Sequence, residues 1–287
     1  MSNTSEQDSA KPLKEVAVIF RAAKPEEFDV LSRILCNAFL PLWNHNWFHG
    51  VSEALAPVAI GSIGAQTPPM SRYQATRVYF YRSLINLVSL WGGLVLVAEV
   101  PGPGTANGIN IGAIMMWLPP HVREGTFGMF QVWRSGLLSL LAPWRYGLSG
   151  FYRITAIFEA NVKSMFEKRL KGVHPGGYKE EECGFVQMIA INPAHAGKGY
   201  ASALLKHQVE KHFAQYPDKP VILDTTTKQG LNAYGRLGFE LLAQIPVDTG
   251  TDVRGIRLKT NADESARKLA KETCVQRVMI KVPPGAP

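Results

Sequence analysis

The sequence predicts an α/β or α+β fold built on a central mixed sheet. Strand-like runs rich in Val, Ile and Phe alternate with segments of helical periodicity, and both kinds lie on either side of one glycine-containing turn. No internal repeat appears, which leaves solenoids and propellers out. The 287 residues are 46% hydrophobic, 10% aromatic and 19% charged, enough apolar material to bury a real core. We expect a disordered polar tail over 1–14 and a single domain over 15–287, with a helical insert at about 121–180.

Glu15 to Ala23, "EVAVIFRAA", is the first strand candidate. Pro25 followed by Glu26 and Glu27 starts a helix, with proline in the first turn and acids near the positive end of the dipole. Phe28, Leu31, Ile34, Leu35 and Ala38 carry its periodicity to about Leu40. An irregular aromatic stretch, "PLWNHNWFHG", and a Gly/Pro/Ala-containing loop run to Pro69. A second helix covers Ser71 to about Leu90. Strands follow at Leu94 to Val100 and Asn110 to Leu118, joined by a Pro/Gly turn and stopped by Pro119-Pro120. His121 to about Gly177 is helical with a break near Ala142-Pro143. Gly184 to Ile191, Pro220 to Thr225, Phe239 to Val247 and Val275 to Val282 complete the strands.

The strongly apolar uncharged run Ser83 to Ala98 is shorter than the roughly 20 residues of a membrane-spanning helix and is interrupted by Gly92-Gly93. It reads as a helix end, a turn and a buried strand. The N-terminus has no apolar core of a secretory signal. Cys36, Cys183 and Cys274 are far apart and odd in number, so a reducing, cytoplasmic setting is the expectation. A net charge of +8 suits a polyanionic small molecule as well as nucleic acid, but no basic run or zinc-finger spacing supports the latter. His45 and His49 resemble a metal pair only superficially, because no third ligand has suitable spacing.

Ile191 to Leu205, "INPAHAGKGYASALL", carries the chemistry. A strand leads through an Asn192-Pro193 turn and Gly197-Lys198-Gly199 into a helix with Ala201, Leu204, Leu205, Val209 and Phe213 on one face. Glycines before a helix N-terminus expose unpaired N–H groups to an anion. The P-loop is excluded because no Ser or Thr follows Lys198, and the dinucleotide fingerprint because the glycine spacing does not fit.

The segment resembles motif A of the GNAT superfamily of N-acetyltransferases, hydrophobic-x-Pro-x-x-(Gln/Arg)-x-x-Gly-x-(Gly/Ala), here Ile191, Pro193, Ala196, Gly199 and Ala201. The resemblance implies that the backbone amides of Ala196, Gly197, Lys198, Gly199, Tyr200 and Ala201 hold the pyrophosphate of acetyl-CoA, the co-substrate, with no metal. Ala196 stands where Gln or Arg is usual, forfeiting a side-chain hydrogen bond of about 1–3 kcal/mol. Lys198 restores some charge. Downstream, "YGRLGF" resembles motif B, with Tyr234, Leu237, Gly238 and Phe239 in its spacing. Together the motifs imply a mostly antiparallel sheet, flanked by helices and split between the fourth and fifth strands. The resemblance also gives Tyr234 the role of general acid to the departing thiolate, Asn232 a bond to the pantetheine arm, and the backbone of Ile189, Ala190 and Ile191 the alignment of the thioester.

A general base is not identifiable. The strand "GFVQMIAI" has no carboxylate, only Gln187. Glu159, Glu181, Glu182, Asp224 and His174 are candidates, as is a water chain. "MMWLPP", the insert, His174-Pro175 and "YGRLGF" are closest in flavour to puromycin-acetyltransferase-type and fungal small-molecule acetyltransferases. The insert separates the third and fourth strands by about 65 residues, and its helical part, His121 to Gly177, carries eight basic residues against three acids. Phe127, Phe130, Trp133, Trp144 and Tyr146 either wall an acceptor cleft for a flat, partly apolar amine or pack the insert onto the core. The expected activity is direct acetyl transfer from acetyl-CoA to a small amine in a ternary complex. The rivals are a catalytically silent CoA-binding module and a protein or peptide N-acetyltransferase. Nucleic acid and membrane are not expected partners.

Overall fold

The computed structural model describes residues 18–61, 64, 66, 68–100, 110–122, 129–173, 176–258 and 264–285. The expected tail, the turn before Asn110, Phe127 and the His174-Pro175 pair lie outside them.

Seven strands form one sheet in the order β1-β2-β3-β4-β5-β7-β6. They are β1 (Ile19–Ala22), β2 (Leu94–Val100), β3 (Asn110–Leu118), β4 (Gly184–Ile191), β5 (Val221–Thr225), β6 (Glu240–Pro246) and β7 (Val275–Lys281). All neighbours are antiparallel except β4 and β5. This is the mixed, mostly antiparallel sheet that the motifs imply, with helices on both faces.

Side chains alternate between the faces along each strand. Ile111, Ile114, Met116 and Leu118 of β3 enter one core with Phe185, Ile222 and Val278. That core is covered by α1 (Phe28–Ala38), α2 (Trp43–His49), α3 (Arg72–Leu90) and α6 (Ala160–Arg169). Ala113, Met115 and Trp117 enter the other with Leu204, Leu205 and Val209 of α7 (Tyr200–Gln215) and Leu231, Tyr234 and Leu237 of α8 (Lys228–Arg236). Among the described residues no helix is long and apolar enough to cross a membrane.

The run expected to be helix end, turn and buried strand takes that form. α3 is capped by Ser71, whose Oγ accepts from Gln74 N, and ends at Leu90 before β2. "WNHNWFH" differs from expectation: it is not irregular but the helix α2, all seven residues buried, closed by Gly50 at φ 65°. An all-round aromatic surface hides helical periodicity, because no polar face marks it. α9 (Glu264–Thr273) was not expected either; its only buried residue is Ala270, so its apolar stripe is thin.

The insert comprises α4 (Met129–Ser135), a 3-10 turn over Leu137–Leu141, then α5 (Gly147–Tyr152), a π-helical stretch Arg153–Glu159 and α6. Ala142 leaves helical geometry at ψ 135°, the break expected before Pro143. Phe158, Val162, Met165, Phe166 and Leu170 anchor it in the core. Cys36, Cys183 and Cys274 are free and buried. Burial pushes their thiols up to about 11, 12 and 11, so none is a nucleophile at neutral pH.

Glu27, 1% exposed, ties β1 to α1. Its carboxylate accepts from Arg21 Nη2 (2.6 Å), Arg21 Nη1 (2.9 Å) and Lys24 N (2.7 Å). Burial works to raise its pKa, but these bonds outweigh it and the net shift is downward. Its contribution is therefore present above the unfolded carboxylate pKa and lost as pH falls through the folded one. Glu27→Gln is expected to cost about 2–3 kcal/mol at pH 7, the deficit vanishing in acid, as measured by urea unfolding at several pH values.

Candidate active site

The site begins with one extra residue. β3 and β4 pair Met116 with Met188 but Trp117 with Val186, so Gln187 is an extra residue on β4. This β-bulge flips the strand's sidedness: Phe185 and, beyond the bulge, Met188 and Ala190 face the same core, whereas Val186 and Ile189 face the other. The bulge also bends β4 away from its parallel neighbour. Pairing with β5 covers Gly184↔Val221, Phe185↔Ile222 and Val186↔Leu223, and stops there. Beyond it the sheet is split, as expected between the fourth and fifth strands.

The far edge of the split has a definite polarity. Asn192 N donates to Gly112 O (2.9 Å), which fixes the alternation of the antiparallel ladder. Ala190 and Met188 therefore bond toward β3, and Ile189 and Ile191 turn their N–H and C=O groups into the split. Of the three backbone positions expected to align a thioester, the structure brings two to the opening and commits Ala190 to β3.

The loop after β4 is held from behind. Asn192 Oδ1 accepts from Ala194 N (3.1 Å) and its Nδ2 donates to Ile111 O (2.8 Å). His195 Nε2 bonds Asn110 Oδ1 (2.8 Å), and burial, then Lys198, lowers its pKa, keeping it neutral. The Tyr200 ring covers Gly112 of β3, where an added Cβ would lie 2.6 Å from it. Tyr200 therefore packs with its side chain and offers only its N–H to a ligand.

Gly197 (φ 81°) and Gly199 (φ 76°) adopt left-handed backbone, and a Cβ on either would meet no protein atom within 4 Å. The six amides expected to bind pyrophosphate divide. Ala196 N donates to Pro193 O (3.2 Å) and Lys198 N to His195 O (3.3 Å), so these two close turns. Gly197, Gly199, Tyr200, Ala201 and additionally Ser202 have N–H groups with no backbone acceptor among the described residues. Five donors at a helix N-terminus, around two open glycines, fit the oxygens of a diphosphate. Ala196 itself is exposed, so its short side chain neither blocks nor assists.

Across the split, Thr227 caps α8 by accepting from Gly230 N (2.9 Å). A Cβ at Gly230 would lie 2.4 Å from Thr225 Oγ1, so this glycine lets α8 close on the end of β5. Tyr234 follows one turn later on that face and makes no side-chain hydrogen bond among the described residues. Burial and then the Asp224 charge hold its phenol well above the usual range, so it stays protonated. Asn232 sits two residues away, about 200° round the helix. It is exposed, lining an open groove of about 540 Å³ with Gly235, Arg236, Phe239 and Leu241. The structure thus separates Asn232 from Tyr234.

The carboxylate candidates separate as well. Glu181 and Glu182 lie in a 3-10 turn before β4, whose first residue, Gly184, is already about 16 Å along the strand from Ile189. Glu182 is engaged with Lys179 N (3.1 Å) and Lys219 (3.8 Å). Glu159 is in the insert. Asp224 borders the split on β5: Ile222 faces the α1/α2 core and Leu223 the α7/α8 core, so Asp224 is on the α1/α2 side. On that side Thr226 Oγ1 donates to buried Asn44 Oδ1 of α2 (3.4 Å). The insert aromatics divide between core and surface. Tyr146 is buried and stacked on His49 (4.7 Å), whereas Phe130, Trp133 and Trp144 are each 62% exposed. His45 bonds Tyr81 Oη (3.0 Å), and among the described residues no three His, Cys, Asp or Glu groups converge to hold a metal.

The sequence marks Gln187 as the one polar residue of an apolar strand without showing that it is a bulge, and does not single out Thr227, the helix cap. Deleting Gln187 leaves the β3 register intact and removes the bulge. Such a variant is expected to keep its fold, extend β4–β5 pairing and lose at least tenfold in acetyl-CoA affinity by calorimetry.

Residues 114–239 match the model described as the acetyltransferase (GNAT) family. Among solved structures, the chain is similar to arylalkylamine N-acetyltransferase 2 from Aedes aegypti at 14% identity, covering 92% of this chain and 98% of that one, with a TM-score of 0.49. A structure described as histone acetyltransferase HPA2 and related acetyltransferase, from Corynebacterium glutamicum, gives 15% identity, 95% and 99% coverage and a TM-score of 0.47. A phosphinothricin acetyltransferase from Sinorhizobium meliloti gives 13%, 94% and 91%, and 0.43. The family match runs from β3 through the split and the glycine loop to the end of the Tyr234 segment, so it is this segment of the chain that matches the acetyltransferase (GNAT) family.

Proposed function

We propose that this enzyme transfers the acetyl group of acetyl-CoA directly to the amine of a small molecule, in a ternary complex formed across the sheet. The observation that supports the reading is the split after the short β4–β5 pairing: Ile189 and Ile191 turn N–H and C=O groups toward it, and five amides of the loop after β4 and the Tyr234 hydroxyl of the helix after β5 have no partner among the described residues.

Acetyl-CoA supplies the activated acyl thioester. The amides of Gly197, Gly199, Tyr200, Ala201 and Ser202 bind its diphosphate, with Lys198 adding charge at the rim. Ile189 and Ile191 hold the extended arm by strand-like hydrogen bonds and offer a donor to the acyl oxygen. Tyr234, on the α7/α8 face, gives a hydrogen bond and then its proton to the sulfur. Asp224, on the opposite face, receives the proton of the amine, through water where the acceptor does not reach it. The acid and the base so placed do not compete for one position. The small-molecule reading is supported by the helical cover over the α1/α2 face, to which α2 and α6 of the insert contribute.

Tyr234→Phe is expected to lower kcat by about 10²-fold while leaving acetyl-CoA affinity within about twofold, whereas Gly199→Val raises the dissociation constant at least tenfold by straining the left-handed turn and filling the cradle. Unchanged turnover in the first variant removes Tyr234 from the mechanism. Acetyl-CoA binding without thiol release on any amine of a broad panel identifies a silent binding module instead. Asp224→Asn is expected to depress kcat/KM about 10²-fold near pH 7 and progressively less at higher pH, where the amine is already neutral.

A further inference from the structure

α2 links the split to a cluster of unmet hydrogen-bond donors. Its first turn touches the end of β5 through Asn44 and Thr226 (3.4 Å). Its far end, Gly50, sits between two arginines: a Cβ there would lie 2.9 Å from Arg153 Nη2 and 3.2 Å from Arg257 Nη2. Arg153 starts the π-helical stretch of the insert and donates to Phe48 O (3.1 Å). Arg257 belongs to the loop between β6 and α9, which is pinned along α2 by Arg257 N to Val51 O (2.9 Å) and Asn46 Nδ2 to Arg254 O (2.9 Å).

These like charges face each other with no carboxylate in ion-pair distance among the described residues. The nearby Asp252 is occupied by Arg254 (3.2 Å) and by the N–H groups of Arg254 and Ile256. Burial, then Arg257, lowers the pKa of Arg153, the direction expected where a second cation is close and no anion compensates.

The interior behind the pair repeats the pattern. Arg77 of α3 is fully buried, bonded to Asn46 Oδ1 (3.0 Å) and, through Nε, to His49 Nδ1 (3.5 Å), with no acid. Since His49 Nδ1 accepts, its Nε2 carries the proton. Arg77 Nη1, His49 Nε2, Tyr146 Oη and Arg153 Nε are all buried without a partner among the described residues, and all can donate. Burial, then Arg77 and Arg153, lowers His49 to about 3, so the imidazole is neutral and the cluster's positive field comes from the guanidinium groups. An excess of donors around two adjacent guanidinium forks is satisfied by a group that only accepts.

Resting on the acyl-transfer reading, we propose that the acceptor is an anionic amine, whose carboxylate or phosphate docks between Arg153 and Arg257 at the C-terminal end of α2 while its amine reaches the split. Arg257 is exposed and Arg153 half-buried, so the fork is open to solvent; Arg77 stands behind it. Six residues of helix separate Asn44 from Gly50, so the anion and the amine lie about 9 Å or more apart.

The test uses the full-length protein, acetyl-CoA, and ω-amino acids of graded length, each paired with its carboxamide. Wild type is expected to acetylate a longer acid at least tenfold more efficiently than its amide. Arg257→Gln, an exposed position, is expected to raise KM for the acid about 10–100-fold with kcat nearly unchanged, to leave the amide unaffected, and to be partly rescued by Arg257→Lys. Equal rates on acid and amide in wild type, or equal losses on both in Arg257→Gln, overturn the anion site and leave acyl transfer standing. If no amine is acetylated, the transfer reading falls alone, and calorimetric titration of the same acids and amides into wild type and Arg257→Gln decides the anion site: a preference for the acid that Arg257→Gln abolishes supports it, and indifference overturns it.

Discussion

The active-site geometry depends on where the parallel pairing of β4 and β5 is allowed to stop. Three residue pairs hold the two strands together, and the extra residue Gln187 then turns β4 aside. Without that turn the peptide groups of Ile189 and Ile191 would be spent on β5, the sheet would be continuous, and no ligand could pass between its halves. The cost is two strand edges opened in the middle of a sheet. It is offset on the other side of β4, where the ladder to β3 continues to Asn192, and behind the loop, where Asn192, His195 and Tyr200 fasten the helix start to Asn110, Ile111 and Gly112.

From that opening the two faces acquire different tasks. α7 and α8 bring backbone donors and a phenol to one face; α1, α2 and the insert cover the other, where Asp224 and Asn44 meet the end of β5. The phenol is kept protonated by burial and by the neighbouring carboxylate, and the loop histidine neutral by burial and a lysine. On the proposed reading, recognition on the donor side rests chiefly on oriented peptide groups, which remain in place when a side chain such as that at position 196 is reduced to a methyl group.

Much of this was legible from residue pattern. β4, α7 and the Tyr234 helix stand out because their apolar spacing and glycines are local properties. α2 was not legible: buried on all sides, it shows no polar face, and seven consecutive large or amide side chains have no periodicity to read. The bulge was not legible for a different reason. Gln187 is one polar residue in a strand, and whether it pairs, bulges or points outward is decided by the register with β3, seventy residues away. Asn232 shows the same limit on a smaller scale, since its distance from Tyr234 in sequence is short while the helix turns it to the far side. Of the six amides expected to form a cradle, two close turns instead, a distinction set by carbonyl directions that composition does not encode.

The passage through the sheet has an evolutionary consequence. On the proposed reading, donor and acceptor approach from opposite faces and share only the few peptide groups at the split. Substitutions in α2, in the insert or in the loop carrying Arg257 can therefore remodel what is acetylated while the helices that grip the donor drift independently. A lineage built on this plan diversifies its chemistry on one face at a time.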